Sequence, residues 1–208
     1  MTLQPYDAVV LTGGRARRLG GAHKPGIEIG GQSLAARVVS AVADAVRVVI
    51  VGTAVPGARA DAVTREVPAG AGPMAALAAG LAHVRAPVVA TFAGDLPFLT
   101  AAAVAELRHA LADEPSAAAA VLVDDAGRDQ PLCAVWRAEL LRDTLSVVSR
   151  PRSLAGVGGN GLTGLPMRLL LAAAEPVVRR AMITSGPPPW FDCDTDDDVV
   201  RAKEWHRN

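Results

Sequence analysis

The stretch Ala8-Val-Val-Leu-Thr-Gly-Gly14 decides the fold of this 208-residue chain. Residues 8–12 form a short apolar run containing β-branched side chains, which predicts a buried parallel strand. Gly13 and Gly14 end the run abruptly and predict a tight loop. Because glycines carry no side chain, a polyphosphate can approach the backbone of such a loop closely. The stretch therefore predicts a strand that leads into a phosphate-binding loop.

Strands and helices alternate along the rest of the chain. Apolar runs predict further strands at 47–51, 87–92, 117–123, 131–136 and 177–183, with a hairpin-like return at the polar turn 124–129. Helices are predicted after the capping residues Ser33, Thr100 and Thr195, from Gly72-Pro73, from Trp136 to Val148 and at 167–174. The segment 151–166 is predicted to be a mobile surface loop. This order predicts the α/β class, with a parallel or mixed sheet, helices on both faces and a ligand site beyond the carboxyl ends of the strands.

Composition limits the class of protein further. Half of the residues are apolar but only 3% are aromatic, which is typical of a helix-covered parallel sheet built from Ala, Val and Leu. The length favours a single domain over residues 1–208. The formal net charge of zero argues against nucleic acid or an anionic membrane as a partner. No apolar segment has the length of a membrane span or the form of a signal peptide, so a cytoplasmic protein is expected, with Cys133 and Cys193 as buried free thiols.

Charged residues are sorted along the chain. Residues 8–27 contain no acid, and four cations lie there: Arg15, Arg17, Arg18 and Lys24. Aspartates are concentrated at 192–198, and Asp95 follows a predicted strand. Magnesium prefers carboxylate, water and phosphate oxygens and usually takes one or two protein carboxylates, so Asp95 with Asp194 could hold it, and Asp192 less readily. Asp196 to Asp198 suit the first turn of a helix instead.

Two familiar nucleotide-binding loops are absent from the sequence around Gly13. No residues supply the Gly-x-x-x-x-Gly-Lys-Ser/Thr pattern of a P-loop, and Gly-x-Gly-x-x-Gly does not follow the first strand. A turn without function remains an alternative for Gly13-Gly14 and for Asp95 when each is considered alone. Their joint occurrence at predicted strand ends favours a ligand site.

Five segments carry a resemblance to the MobA-like nucleotidyltransferases, the family related to molybdenum cofactor guanylyltransferase. The first is the signature loop, with Leu11-Thr12-Gly13-Gly14, Arg18-Leu19-Gly20 and Lys24 at matching spacing. The others are Gly72-Pro73-Met74-Ala75, Gly94-Asp95-Leu96-Pro97, Asp129-Gln130-Pro131-Leu132 and Asp192-Cys193-Asp194-Thr195. Together they span nearly the whole chain.

The resemblance implies a three-layer Rossmann-like nucleotidyltransferase fold with a mostly parallel central sheet. It implies transfer of GMP from GTP to a molybdopterin-type phosphorylated acceptor, with Mg²⁺ as cofactor, pyrophosphate as the second product, and transient contact with molybdenum cofactor enzymes. Lys24, Arg18 and Asp95 would be the catalytic residues, and Asp95 and Asp194 the metal ligands. The nucleotide-binding residues would be Leu11, Thr12, Gly13, Gly14, Lys24, Gly72, Pro73 and Asp95.

One position departs from the family pattern. Many relatives carry an acidic residue in the segment before Gly-Pro, whereas Val67 occupies that place here and Glu66 precedes it. Neighbouring residues of an extended segment point to opposite faces, so Glu66 is a doubtful substitute. This departure leaves the preference for GTP over CTP open. Two further alternatives are transfer to another phosphorylated acceptor and a nucleotide-binding accessory protein without turnover.

Overall fold

The computed structural model describes residues 3–13, 24–154, 161–182 and 186–207. The strands are β1 Tyr6–Leu11, β2 Glu28–Ile29, β3 Gln32–Ser33, β4 Val48–Val51, β5 Ala62–Thr64, β6 Val88–Ala93, β7 Ala119–Val123, β8 Asp129–Arg137 and β9 Val177–Ala181. The helices are α1 Leu34–Ala41, α2 Pro73–Leu81, α3 Ala101–Asp113, α4 Ala138–Leu154, α5 Arg168–Ala173 and α6 Asp196–Arg207.

Seven of the strands form one sheet in the order β5-β4-β1-β6-β8-β7-β9, while β2 and β3 pair as a separate hairpin. Strand β8 runs antiparallel to both of its neighbours, and the other adjacent pairs are parallel. The sheet is therefore mostly parallel, as predicted. Strand β1 lies inside it with all six residues buried, as its apolar sequence predicted.

Helices cover both faces of the sheet and give the predicted three layers. Because successive strand residues point to opposite faces, Ala8 and Val10 pack with α1 and α3, whereas Val9 and Leu11 pack with α2, α4 and α5. Helix α6 lies apart from these two cores. It packs with Ile29 of the β2–β3 hairpin in a third, smaller cluster.

The predicted helix caps are confirmed by hydrogen bonds. The hydroxyl oxygen of Ser33 accepts from the amide of Ala36 at 3.2 Å, and that of Thr100 accepts from the amide of Ala103 at 3.1 Å. The hydroxyl oxygen of Thr195 likewise accepts from the amide of Asp198 at 3.2 Å. Each bond satisfies one of the donors left unpaired in the first turn of a helix.

Helix α4 is longer than predicted. It runs to Leu154 and not to Val148, so residues 151–154 of the predicted surface loop are helical. The predicted loop began at Pro151, but a proline removes one backbone donor and need not end the helix that contains it. Residues 155–160 of that predicted loop lie outside the described residues, and its mobility stays a prediction. Within the described ranges, no helix combines the length and the apolar character needed to cross a bilayer.

Candidate active site

The carboxyl ends of four parallel strands lie level with one another at one edge of the sheet. In this edge row Thr64 pairs with Val51, Val51 with Leu11, and Leu11 with Ala93. The residues that follow each strand are therefore neighbours in space although they are far apart in the chain. Within the seven-stranded sheet the chain passes from β1 to β4 and β5 on one side and then crosses to β6 on the other side of β1, so the order of strands reverses at β1. Such a point is where ligands bind in open α/β sheets.

Thr12 and Gly13 are fixed against the neighbouring strand. Both of their amides donate to the carbonyl of Val51, at 2.8 and 3.1 Å, and the Thr12 hydroxyl donates to the carbonyl of Thr53 at 2.8 Å. Thr12 is fully buried. Both amides are thus already hydrogen-bonded within the protein. The predicted backbone contact of Thr12 and Gly13 with a nucleotide would therefore be made by their carbonyl oxygens. That contact stays a prediction.

Gly52 allows the loop to take this position, although it is not among the predicted site residues. Its φ of +125° is a conformation that L side chains rarely adopt, and an added Cβ would lie 2.3 Å from the backbone nitrogen of Gly13. The close approach of the two backbones therefore requires glycine at residue 52. The sequence did contain a signal for this role: Gly52 directly follows a predicted strand, much as Gly13 follows the first strand.

Gly94 brings Asp95 next to the same loop. The Gly94 amide donates to the carbonyl of Leu11 at 2.9 Å. A Cβ on Gly94 would lie 3.0 Å from that carbonyl oxygen and 3.1 Å from Cγ2 of Thr12, which is tighter than nearly all real contacts. Because Gly94 has no side chain, the segment that leads to Asp95 can lie directly against the end of β1. Asp95 itself is partly buried.

The two predicted metal ligands lie on segments that are joined by a hydrogen bond. The amide of Cys193 donates to the carbonyl of Asp95 at 3.1 Å, and Cys193 is fully buried while Asp192 and Asp194 on either side of it are exposed. No group of three or more acidic, histidine or cysteine side chains suited to a metal occurs among the described residues. A pair of carboxylates nevertheless fits magnesium, which takes its other oxygens from water and phosphate.

Gly72 and Pro73 begin helix α2 at the same edge of the sheet. Gly72 is the N-cap residue, and no side chain caps this helix. The amide of Gly164 donates to the carbonyl of Ala71 at 2.8 Å, so the segment after helix α4 supports this helix start. A helix start of this kind presents backbone donors and a partial positive charge, which suits an anionic ligand.

Part of the predicted signature loop lies outside the described residues. This holds for Gly14 and Arg18, and for the side chain of Lys24, whose backbone begins a short 3-10 helix at Lys24–Gly26. Their contacts with a triphosphate stay predictions. The structure does bring Leu11, Thr12 and Gly13 together with Asp95.

The side chains of Val67 and Glu66 differ in exposure, as expected for neighbouring residues that point to opposite faces. Val67 is 82% exposed, whereas Glu66 is buried. One carboxylate oxygen of Glu66 accepts from the amide of Gly70 at 2.8 Å, and the other is buried without a hydrogen-bond partner among the described residues. In this conformation Glu66 therefore holds the turn before α2. Whether Glu66 also replaces the acidic contact that Val67 lacks stays open, as in the sequence analysis.

The polar turn at 124–129 predicted a hairpin, and β7 and β8 form it. The turn of this hairpin lies at the other end of the same edge of the sheet. Asp124 accepts from the amide of Arg128 at 2.9 Å and from the Arg128 guanidinium at 2.7 Å, and these bonds hold the pKa of its carboxyl below the ordinary value. Asp129 begins β8 and pairs with Arg179 of β9 at 2.8 Å. A cavity of about 560 Å³ lies between the ends of β7 and β9, lined by residues that include Asp125, Met182 and Trp190.

The geometry of this site can be compared with known proteins. The family model described as the MobA-like NTP transferase domain matches residues 8–157. The chain belongs to this family. The match begins within β1 and includes four of the five segments that carried the resemblance in the sequence; the fifth, at residues 192–195, lies beyond it.

Curated relatives extend the similarity over the whole chain. A molybdenum cofactor guanylyltransferase of Bradyrhizobium sp. (strain ORS 278) is 30% identical over 213 residues, which cover 97% of this chain and 93% of that protein. A protein of the same name from Burkholderia lata is 37% identical over 147 residues, covering 65% of this chain and 72% of the relative. The predicted family and the class of nucleotidyltransferase are confirmed.

Solved structures confirm the predicted fold. A nucleotidyl transferase from Methanothermobacter superimposes with a TM-score of 0.71 at 19% identity, covering 98% of both chains. Molybdopterin-guanine dinucleotide biosynthesis protein A from Archaeoglobus fulgidus gives 0.67 at 20% identity, covering 95% of this chain and 97% of that one. A 2-C-methyl-D-erythritol 4-phosphate cytidylyltransferase from Thermus thermophilus gives 0.66 at 21% identity with full coverage of both. At these identities the likeness concerns the fold alone.

Proposed function

We propose that the protein transfers GMP from GTP to molybdopterin cofactor, releases pyrophosphate and depends on magnesium. The curated relatives described above, at 30% and 37% identity, are both named molybdenum cofactor guanylyltransferase. The fold does not select the nucleotide, since a cytidylyltransferase superimposes equally well. The choice of GTP therefore rests on the sequence relatives.

One observation of the structure carries the proposal. The Thr12–Gly13 loop and Asp95 follow neighbouring strands whose ends are level, and the Gly94 amide joins the two through the carbonyl of Leu11. A nucleotide bound along the loop would thus have a carboxylate beside its phosphates. Asp194 lies on the segment joined to Asp95, so a second carboxylate is available from the C-terminal part of the chain.

The proposed reaction is an in-line displacement. A terminal phosphate oxygen of the acceptor attacks the α-phosphorus of GTP, the bond from that phosphorus to the bridging oxygen of the β-phosphate breaks, and pyrophosphate leaves. Lys24 and Arg18 would neutralise the triphosphate, and Gly72-Pro73 would meet the nucleotide at the start of α2. Magnesium, held by Asp95 with Asp194, would screen the phosphate charge. The protein would act by positioning and charge stabilisation and form no covalent intermediate.

The acceptor would bind at the ends of β7 and β9, on the far side of β6 from the loop that would hold the nucleotide. The cavity at the ends of β7 and β9 has the size of a small-molecule site, and β7 lies two strands from β6. Adjacent strands are about 4.8 Å apart, so the end of β7 lies roughly 10 Å from the end of β6 that leads to Asp95. This spacing suits an acceptor whose phosphate reaches the metal carboxylates.

The proposal is tested by pyrophosphate release from the purified protein. GTP or CTP is incubated with magnesium and with molybdopterin, another phosphorylated acceptor or no acceptor. We expect release with GTP, molybdopterin and magnesium together, and none when magnesium is replaced by a chelator. Asp95→Asn protein serves as the inactive control.

Each contrary result identifies a different error. Faster release with CTP would move the protein to cytidylyl transfer, and release with a different acceptor would retain the chemistry but change the substrate. Calorimetric binding of GTP without release under any of these conditions would favour the accessory-protein alternative, because binding would then survive without turnover.

A further inference from the structure

Three aromatic side chains from distant parts of the chain meet beside the predicted metal ligands. The chain contains three Trp, one Tyr and three Phe, and Phe98, Phe191 and Trp205 form one cluster. The ring centroids of Phe191 and Trp205 are 4.9 Å apart at 70°, and those of Phe98 and Trp205 are 5.7 Å apart at 67°. Both are edge-to-face contacts, the favourable arrangement for aromatic rings. We call these three residues the aromatic cluster.

Two members of the aromatic cluster lie on the two carboxylate segments. Phe98 is three residues after Asp95, and Phe191 is three residues before Asp194. Their ring centroids are 6.2 Å apart. The same two segments are joined by the hydrogen bond from the Cys193 amide to the Asp95 carbonyl. One backbone hydrogen bond and one pair of rings thus contribute to the relative position of the two segments.

The third member, Trp205, belongs to helix α6 and contacts both of the other rings. The helix begins at Asp196, directly after Asp194 and the capping residue Thr195. Trp205 is about 14 Å further along the helix axis at 1.5 Å per residue. Its contact with Phe191 therefore means that the segment before the helix runs back alongside it. Trp205 contacts both rings and thereby holds each carboxylate segment against the same helix.

We propose that the aromatic cluster positions the carboxylates of Asp95 and Asp194 for magnesium, with Trp205 as the residue that sets their spacing. The inference rests on the proposed function, because it concerns the metal that the function requires. Trp205 is a positioning residue and acts through the two segments that it contacts. Groups that support metal ligands in this way typically change metal affinity by about 10-fold to 100-fold when they are removed.

The test measures how strongly magnesium and GTP support each other's binding. Calorimetric titration gives the dissociation constant of GTP in a chelator and in saturating magnesium, and the ratio of the two is the magnesium coupling. We expect Trp205→Ala to reduce this ratio by about tenfold while leaving the metal-free affinity nearly unchanged. Trp205→Phe retains an aromatic ring at the cluster and should restore most of the coupling.

Two controls separate positioning from general stability. Val200→Ala alters an exposed residue of the same helix and should leave the coupling and the melting temperature unchanged. Leu107→Ala removes a fully buried side chain of α3 in the core that α1 and α3 share, so it should lower the melting temperature without changing the coupling. Melting temperatures of all variants show that each is folded under the titration conditions.

The outcomes distinguish this inference from the proposed function. If the parent protein shows magnesium coupling and Trp205→Ala retains it while losing stability, as Leu107→Ala does, the cluster only packs the helix and the inference is wrong. If the parent protein binds GTP equally with and without magnesium, the magnesium-dependent function is wrong and the inference fails with it. Loss of coupling in Trp205→Ala with recovery in Trp205→Phe supports the inference.

Discussion

Asp95 is the residue on which the chemistry depends most. It follows a strand whose end is fixed by the contact of Gly94 with Leu11, so its backbone has little freedom to move. Asp95→Asn keeps the shape of the side chain and removes its charge. We expect pyrophosphate release to fall by at least about 100-fold, as when a main electrostatic contact in a transition state is lost, with little change in melting temperature.

Asp194 provides the matched comparison for this variant. Asp194→Asn should cause a milder loss if the residue only assists, and the double variant should be no worse than Asp95→Asn if both carboxylates serve one ion. The measurement is magnesium-dependent pyrophosphate release by the three variants. Near-parental activity in Asp95→Asn would refute the metal site.

Gly52 carries a prediction about stability. An added Cβ would meet the backbone of Gly13 at 2.3 Å, and the φ of +125° adds strain. We expect Gly52→Ala to lower the free energy of unfolding by about 2 kcal/mol or more, because backbone on both sides has to shift. Gly186→Ala is the control, since a Cβ there would have no atom within 4 Å. Equal midpoints in urea for the two variants would contradict the backbone contact described here.

At the scale of elements, the start of helix α6 is held by reciprocal hydrogen bonds between Thr195 and Asp198. The Thr195 hydroxyl accepts from the amide of Asp198, and a carboxylate oxygen of Asp198 accepts from the amide of Thr195 at 2.8 Å. This reciprocal pattern is a capping box, here with aspartate as the second residue. Thr195→Ala should cost about 1 kcal/mol in the free energy of unfolding, whereas Thr195→Ser should cost much less. Chemical denaturation of both variants checks the difference.

Elements with a strong local signal were predictable from the sequence. Strand β1 was predicted from its apolar run, and helix α3 was predicted from its capping residue Thr100. The β2–β3 hairpin and strand β5 were missed because they contain only two or three residues each, which is too short for periodicity to register. The Gly30-Gly31 turn of that hairpin, with positive φ at both glycines, was the available signal.

Part of the site was predictable and part was not. Thr12, Gly13 and Asp95 were predicted as site residues because glycines and a carboxylate at strand ends are local signals. The structure places them at the ends of neighbouring strands, and their contacts with a ligand stay predictions. The need for glycine at residue 52 depends on how closely two strands approach, and the aromatic cluster depends on contacts of Phe98 with residues more than 90 positions later in the sequence. Such contacts leave no periodic pattern in the chain.

At the scale of the whole molecule, several carboxyl groups link stability to pH. Hydrogen bonds lower the pKa of three of them: the Val48 amide to Asp61, the Arg128 amide to Asp124, and the Arg179 side chain to Glu175. Ordinary values are about 3.9 for Asp and 4.3 for Glu. In acid the unfolded chain therefore takes up protons before the folded chain does. The stabilisation from these groups is complete above about pH 5 and is lost as the pH falls through the lowered values.

Thermal melts across pH test this linkage. We expect little contribution from these three groups to changes in melting temperature between about pH 7 and pH 5, and a decline below about pH 4. Asp124→Asn removes one of the groups and should make the decline shallower. An identical acid decline in this variant would show that Asp124 does not contribute to it.

The order of strands in the sheet also has a consequence for protein synthesis. Strands β5, β4, β1 and β6 all lie within residues 6–93, so the loop-bearing half of the sheet is available early as the chain leaves the ribosome. Asp194 and Trp205 are added more than 100 residues after the end of β6. On the proposed mechanism, a nascent chain could hold GTP before it could use it. The protein would gain its activity only when helix α6 has emerged.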